Sequence, residues 1–349
     1  MSLLATRVQE LRLQSPNIDR FTNRASRYGA LDAFITSNND AMSIVTPEMI
    51  NQVAGTAGRD VKIPVFDSES VSIGSTRSVT IADSQNTSAL LTLSSTVYSW
   101  GFTVTPSEYL NSDTQAQADF NRKYLKYIYK FADTLDTACL TSLNTNKTQV
   151  WGDYLEYTDP TTTSDVVPAA LADKDNILSD LSVMMKANDY YGVPYRVVGN
   201  TGLEAILRQQ EKYGQFNEQN KAIEWADKTF HFTNNQANAL NKIATGYIVN
   251  PGSLGMLFKH EPDAVIGSVL PDGTEWGMIT DDFTGVPIST YTYFGARDAS
   301  SISGAATAHL TRAATEYYGF SAEVINVVAY IDDLTTVASP IMKFDVANS

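Results

Sequence analysis

Residues 71–106 read VSIGSTRSVTIADSQNTSALLTLSSTVYSWGFTVTP, and Arg77 and Asp83 are the only charged residues among them. Serine, threonine and β-branched residues dominate this stretch, and they favour extended strands. We predict that residues 79–82 and 90–93 form two arms of a long hairpin. A two-stranded ribbon is only marginally stable alone in water, so we expect this one to pack on another surface, such as a neighbouring subunit.

The ribbon is followed by a strand and then by the clearest helical pattern in the chain. Residues 97–104 alternate in polarity, which predicts a strand returning to the main body. Ser112 and Gln115 then have the spacing of a capping box, and we predict a helix over 113–143. Its apolar residues recur at helical spacing: Phe120, Tyr124, Tyr127, Ile128, Phe131, Leu135 and Cys139.

A basic face lies on another side of the same predicted helix. It consists of Arg122, Lys123, Lys126 and Lys130, which fall within about a third of the helical wheel. Such a face could line the inside of a container and meet phosphate groups. It could equally be an ordinary solvated surface, or form salt bridges with the abundant carboxylates.

The rest of the chain is predicted to be mixed α and β. The first 40 residues resemble an arm with one or two short helices, and Thr46 with Pro47 predicts another helix start. A polar connection, 144–170, follows the long helix. Further helices are predicted at 175–186 and from Thr201. Predicted strands are 61–66, 195–198, 228–232, 245–249, 264–270, 275–280, 286–294 and 322–330, with a turn at 271–273.

Composition narrows the class of protein. The chain has 349 residues, 43% hydrophobic and only 18% charged, with 18 Tyr and 14 Phe. This composition is typical of a folded protein, and few charges with many aromatic side chains suit contacts between chains, although a β-rich core explains them as well. The net charge of −14 argues against a protein that grips nucleic acid with its whole surface. We find no signal peptide core and no apolar run of membrane-spanning length.

Motifs for chemistry are mostly missing from the sequence. It contains no phosphate-binding glycine loop and no nucleophile elbow. We interpret His231 as a structural histidine and Cys139 as a small buried apolar residue. The acidic pairs at 281–282 and 332–333 could bind a divalent cation, but solvated turns explain them better. We therefore predict that the protein is not an enzyme and uses no cofactor or metal.

The order of elements resembles the major capsid proteins of tailed double-stranded-DNA bacteriophages, the Hong Kong 97-like fold. An arm leads to an edge strand, a weakly charged ribbon, a closing strand at 104–110, one long amphipathic helix, a compact α/β part and a β-rich return. The resemblance implies an α+β fold with an N-terminal arm (1–60), an edge strand and extended E-loop (61–112), and a peripheral domain (113–195) built on the spine helix. It further implies an axial domain (196–312) and a C-terminal return to the peripheral domain (313–349).

The resemblance also implies function and partners. Copies would assemble as hexamers and pentamers into an icosahedral virion shell, built in the host cytoplasm, with a portal and non-specific contact to packaged double-stranded DNA. The E-loop, including Ser78, Ile81, Leu91 and Leu93, would contact neighbouring subunits. No scaffolding region fits before the edge strand, so any scaffold would be a separate protein. The ribbon lacks the lysine through which some relatives cross-link, because Lys62 lies at its root and Lys123 is the next lysine.

Three other interpretations stay open at this point. The same architecture serves encapsulin-like compartments, which package an enzyme instead of DNA. From other classes, the chain could be an unrecognised hydrolase or another β-rich virion protein. A pocket with convergent acid and base groups would support a hydrolase.

Overall fold

The computed structural model describes residues 3–14, 27–40, 43–55, 60–66, 88–108, 112–147, 166–174, 176–209, 215–217, 222–225, 227–238, 240–261, 267–281, 283–298, 312–329 and 339–348. The α-helices in these ranges are α1 (Leu3–Gln14), α2 (Gly29–Ser37), α3 (Pro47–Gly55), α4 (Ser112–Thr145), α5 (Ile177–Ala187) and α6 (Thr201–Gln209). Short 3-10 turns lie at Pro106–Glu108 and Leu171–Asp173.

The strands form three sheets. They are β1 (Asp60–Phe66), β2 (Ser88–Ser94), β3 (Thr96–Val104), β4 (Val166–Ala169), β5 (Tyr195–Asn200), β6 (Gln215–Asn217), β7 (Ala222–Trp225), β8 (Lys228–Thr233), β9 (Lys242–Val249), β10 (Leu254–Lys259), β11 (Glu275–Thr280), β12 (Pro287–Asp298), β13 (Arg312–Val328) and β14 (Ile341–Ala347). This mixture of helices with largely antiparallel sheets is an α+β fold.

The first sheet is the two-stranded ribbon of β1 and β2, paired antiparallel from Asp60 opposite Ser94 to Phe66 opposite Ser88. Residues 90–93 therefore pair with 61–64, the segment predicted as a separate edge strand. The sequence analysis names 79–82 as their partner, and those residues lie outside the described ranges. Both candidate partners are short and β-branched, so local sequence does not distinguish them.

The second sheet is five-stranded and antiparallel, and α4 packs on one of its faces. The long strand β13 is its centre: β12 and β10 pair along one side of β13, and β3 pairs along the other. Alternate residues of β3 and β13 point toward α4, and their aromatic rings fill the space between sheet and helix. This packing buries the apolar stripe that predicts the helix, except Tyr127, which is 37% exposed. The burial is why α4 can run for 34 residues.

The third sheet has seven strands in the order β4-β14-β9-β5-β8-β7-β6. Helices α5 and α6 pack on it around a second core, which includes Ile177, Leu181, Met184, Leu203, Phe230 and Phe344. Most of its pairs are antiparallel, but β5 with β8 and β14 with β4 are parallel.

Strand pairing distributes the C-terminal strands over both large sheets. β10, β11 and β12 belong to the sheet that packs on α4, not to the sheet of β5 and β9. Strand β14 lies between β4 and β9 in the seven-stranded sheet. Hydrogen bonds between segments far apart in the chain decide these memberships, and they leave no local pattern in the sequence.

Candidate assembly surfaces

The root of the ribbon is fixed to the body of the protein. Leu93 in β2 is buried. It packs in one cluster with Val45, which precedes α3, and with residues of α3, β10 and β13, namely Met49, Val53, Leu257, Ile325 and Val327. One residue beyond β2, the Ser95 hydroxyl donates to Glu323 Oε2 at 3.2 Å. These contacts fix the position of the end of the ribbon that joins the rest of the protein.

The four predicted E-loop contact residues fall in different places. Ser78 and Ile81 lie outside the described ranges. Leu91 lies in β2 opposite Ile63. Leu93 is 8% exposed and packs within its own chain, so it anchors the ribbon, and contact with a neighbour remains a prediction for the outer residues.

One face of α4 is buried in aromatic and aliphatic contacts. The Phe102 ring of β3 lies 5.5 Å from that of Phe120 and 5.4 Å from that of Tyr318. Further along the helix, the Trp100 and Phe131 rings lie 4.6 Å apart. Ring pairs at such distances add to the free energy of apolar burial. The helix and the five-stranded sheet therefore form a stiff unit on which the ribbon is mounted.

The predicted basic residues do gather on the exposed side of α4. Arg122, Lys123, Lys126 and Lys130 line a cavity of about 390 Å³ together with Phe102 and Tyr127. Asp119 accepts Arg122 at 2.9 Å and Lys123 at 2.5 Å, and the Lys123 ammonium also donates to the carbonyl of Thr103 at 2.8 Å. Salt bridges thus account for two of the cations.

Lys126 and Lys130 complete the basic face. Both are exposed, and no carboxylate of the described residues lies within salt-bridge distance of either ammonium group. The face therefore keeps positive charge available to an external anion, in a protein whose net charge is −14.

A buried carboxylate joins three elements at the junction between the two large sheets. Asp136 of α4 is fully buried. It accepts the backbone N–H of Leu31 at 2.9 Å, the Thr233 hydroxyl at 2.5 Å and the Asn235 amide at 3.0 Å. Burial raises the pKa of Asp136 above its ordinary value, and these hydrogen bonds oppose that effect. Asp136 was not among the residues predicted from the sequence, although an acidic residue beside Leu135 on an apolar stripe is a signal of such a buried carboxylate.

His231 lies in a second polar network at the same junction, as a structural histidine. Its Nδ1 is 2.9 Å from Asp32 Oδ2, and its Nε2 is 3.3 Å from Arg196 Nη1. Arg196 in turn donates to Asp40 at 2.6 Å, and Asp40 accepts the backbone N–H of Gly252 at 3.1 Å. The network ties α2 to β5 and β8, and all of its polar groups are used in structure.

Acidic, histidine and cysteine side chains are the groups that would bind a metal ion or react. The described residues hold no group of three or more His, Cys, Asp or Glu side chains that could bind a metal ion. Asp281 accepts both the N–H and the hydroxyl of Thr284 at 2.7 Å, as a turn residue does; Asp282 and the pair 332–333 lie outside the described ranges. Burial raises the pKa of the Cys139 thiol well above its ordinary value, which suppresses its reactivity.

No helix in the described ranges is long and apolar enough to cross a membrane. Comparison by sequence gives no relative: no family model matches the chain, and no curated protein matches it.

Solved structures match over most of the chain. The capsid of Ralstonia phage GP4 aligns with a TM-score of 0.51 and 11% identity, over 91% of this chain and 90% of that chain. The mature capsid of bacteriophage PhiM1 aligns at 0.48 and 12%, over 84% and 83%. A structure from Mycobacterium phage Che8 aligns at 0.43 and 13%, over 84% and 90%. The likeness to the Ralstonia phage GP4 capsid shows that this chain has the Hong Kong 97-like α+β fold.

Proposed function

We propose that the chain is a major capsid protein, a structural subunit and not an enzyme, whose copies form the hexamers and pentamers of an icosahedral phage shell around double-stranded DNA. The observation that carries the proposal is the likeness to the Ralstonia phage GP4 capsid, which extends over 91% of this chain. A fold match over about nine tenths of both chains favours a shared architecture of the whole subunit over the likeness of a single domain.

The described surfaces support an assembling subunit. The β1–β2 ribbon pairs with no other described strand, and an open strand edge offers backbone groups to another chain. The anchored root at Leu93 and the stiff unit of α4 with its sheet would transmit force between neighbours. Many modest contacts of this kind sum to a stable shell.

We further propose that the basic face of α4 contacts the packaged DNA without sequence preference. Lys126 and Lys130 supply exposed positive charge, and phosphate contacts of this type carry no sequence information. A portal and a separate scaffold protein would be the other partners, and assembly would take place in the host cytoplasm before the protein resides in the virion.

Electron microscopy of the purified, full-length protein tests the proposal. Negative staining should reveal closed icosahedral shells, and particles from infected cells should give an ultraviolet absorbance ratio typical of nucleic acid that resists nuclease. Shells filled with a protein cargo would favour an encapsulin-like compartment. A protein that stays monomeric under all conditions that support assembly would contradict the proposal.

A further inference from the structure

The five-stranded sheet has the basic cavity at its β3 edge and the turn that precedes β11 at its opposite edge. Register places Glu275 of β11, Thr292 of β12, Tyr318 of β13 and Phe102 of β3 in one row across the sheet. Adjacent strands lie about 4.8 Å apart, so the two ends of the row are separated by about 14 Å. Among the described strands, β3 and β11 have the open edges of this row.

The β3 end of the row opens into the basic cavity. Phe102 and Tyr127 form its aromatic part, with rings stacked at 5.8 Å and 13°. Arg122, Lys123, Lys126 and Lys130 surround it. The cavity therefore suits a group that combines apolar surface with negative charge.

The β11 end of the row carries a tight turn with that combination. Leu270 N–H donates to the carbonyl of Thr274 at 2.8 Å, and Gly273 N–H donates to the carbonyl of Leu270 at 2.9 Å. Gly273 has a φ of 86°, which favours glycine. Val269 and Leu270 are 66% and 42% exposed. These bonds fix the turn and present its apolar side chains to solvent.

Two carboxylates flank these apolar side chains. Asp272 accepts the N–H of Thr274 at 3.0 Å with one oxygen, and its side chain is exposed. One carboxylate oxygen of Glu275 is buried with no hydrogen-bond partner among the described residues. The turn thus presents one exposed acidic residue, Asp272, and two exposed apolar residues at the edge opposite the cavity, with Glu275 half-buried beside them.

We infer that the turn of residues 269–275 in one copy inserts into the basic cavity of a second copy. Val269 and Leu270 pack against Phe102 and Tyr127, and the exposed carboxylate of Asp272 approaches Lys126 and Lys130. Because the turn and the cavity lie at opposite edges of one rigid sheet, the turn of a copy cannot reach the cavity of the same copy. The contact is head-to-tail, and such contacts close into rings when the rotation between copies completes a full turn. The ring-forming consequence rests on the proposed capsid function.

Size and charge favour a second copy over nucleic acid as the occupant of the cavity. A space of about 390 Å³ admits a few side chains, whereas a DNA duplex reaches only the rim. In each copy the acidic turn adjoins the same row of the sheet as the cavity. A second copy therefore presents acidic and apolar side chains at the height at which the cavity opens. Where a turn fills the cavity, Lys126 and Lys130 face the turn, and Arg122, whose side chain is 77% exposed on the same face, is left to meet DNA.

Cysteine cross-linking tests the contact directly. Full-length Leu270→Cys and Tyr127→Cys chains, mixed under assembly conditions and oxidised, should form a disulfide-linked dimer that neither variant forms alone. Cys139 does not compete, because it is fully buried. Replacing Leu270→Cys by Val183→Cys, an equally exposed residue on α5, should abolish the product. Assembled shells without the cross-link would overturn the inference and leave the proposed function standing.

Charge variants provide the second readout. Asp272→Asn keeps an oxygen for the N–H of Thr274 and removes the charge, so the cross-linked dimer should form about tenfold less well. Lys126→Glu with Lys130→Glu should do the same, and adding Asp272→Lys to the partner chain should restore it. If the double lysine variant lost only its retained nucleic acid, with unchanged cross-linking, the cavity would serve nucleic acid and the inference would be wrong. A cross-link in a protein that forms no shell would instead contradict the proposed function alone.

Discussion

Arg7 of α1 and Glu316 of β13 form an ion pair across 309 residues of chain: Nη2 of Arg7 lies 3.0 Å from one carboxylate oxygen and 3.2 Å from the other. The Tyr318 hydroxyl donates to Glu316 at 2.6 Å, and Gln117 of α4 accepts from Arg7 at 2.9 Å. The pair holds the N-terminal helix against the unit of α4 and the five-stranded sheet.

Arg7→Met should destabilise the protein by about 3 kcal/mol, because it leaves the nearly buried carboxylate of Glu316 without its cation. Urea unfolding of the purified chain measures this loss. Arg208→Met is the matched control, since Arg208 pairs with Glu204 on the exposed side of α6 and should cost less than about 1 kcal/mol. Equal losses in the two variants would show that Arg7 is no more than a surface residue.

Gly29→Ala should lower the melting temperature sharply. A Cβ at Gly29 would meet backbone atoms of Phe232 at 2.4–2.5 Å, so α2 would have to move away from β8. We expect a loss of at least about 3 kcal/mol. Gly277→Ala, whose Cβ would meet only the Thr290 hydroxyl at 3.3 Å, should change stability far less. A Gly29→Ala protein as stable as the control would mean that α2 is not held this closely.

The stability contributed by Asp136 should fall as the pH rises. Burial raises the pKa of Asp136 above 3.8 in the folded state, so folding favours the protonated carboxyl. Its contribution is complete below the unfolded pKa and is lost as the pH rises through the folded pKa. Asp136→Asn does not titrate. Urea unfolding between about pH 4 and 7 should therefore show the free energy of unfolding of the wild-type protein falling relative to that of the variant as the pH rises. A difference that stays constant with pH would contradict this.

Replacement of residues 67–87, which connect β1 to β2, should prevent assembly without unfolding the subunit. Phe66 and Ser88 are directly paired, so an Asn-Gly turn can replace residues 67–87 and close the β1–β2 hairpin. Strand β3 stays intact in this design, which matters because it pairs with β13 throughout. We expect an unchanged melting temperature and no shells by electron microscopy. Closed shells from this variant would exclude an essential role for residues 67–87.

The shell should carry no covalent cross-links between subunits through the ribbon. No lysine lies between Lys62 and Lys123, so the ribbon lacks the amine that such a bond needs. Particles boiled in denaturant should run as a single band of monomer on a gel. A ladder of multimers would be the contrary result.

Sequence patterns correctly predicted those helices and strands that are specified by residues close together in the chain. The helix predicted at 113–143 corresponds to α4 (Ser112–Thr145), and the strand predicted at 275–280 corresponds to β11. β13 was predicted only from residue 322, yet it begins at Arg312. Residues 312–321 contain Ala and Gly, which weaken strands. They form one because β12 pairs with them throughout, and β3 joins on the other side from Glu316.

The candidate site likewise contains some residues that local sequence predicts and others that it does not. The basic residues of α4 follow from helical spacing, because 3.6 residues per turn fix which side chains share a face. Their neighbours Phe102 and Asp119, the ion pair of Arg7 with Glu316, and the acidic turn at the far edge of the sheet depend on strand order and register, and no single segment encodes either.

The sequence by itself determined that this chain has an uncharged extended segment, a long helix with an apolar and a basic face, and no catalytic motif, because composition and periodicity act within a few residues. Only the tertiary structure decided that β1 is the partner of β2, that β14 joins the seven-stranded sheet, and that the acidic turn lies level with the basic cavity. Those relations arise from hydrogen bonds and packing between segments far apart in the chain, whose free energy is gained only once the fold brings them together.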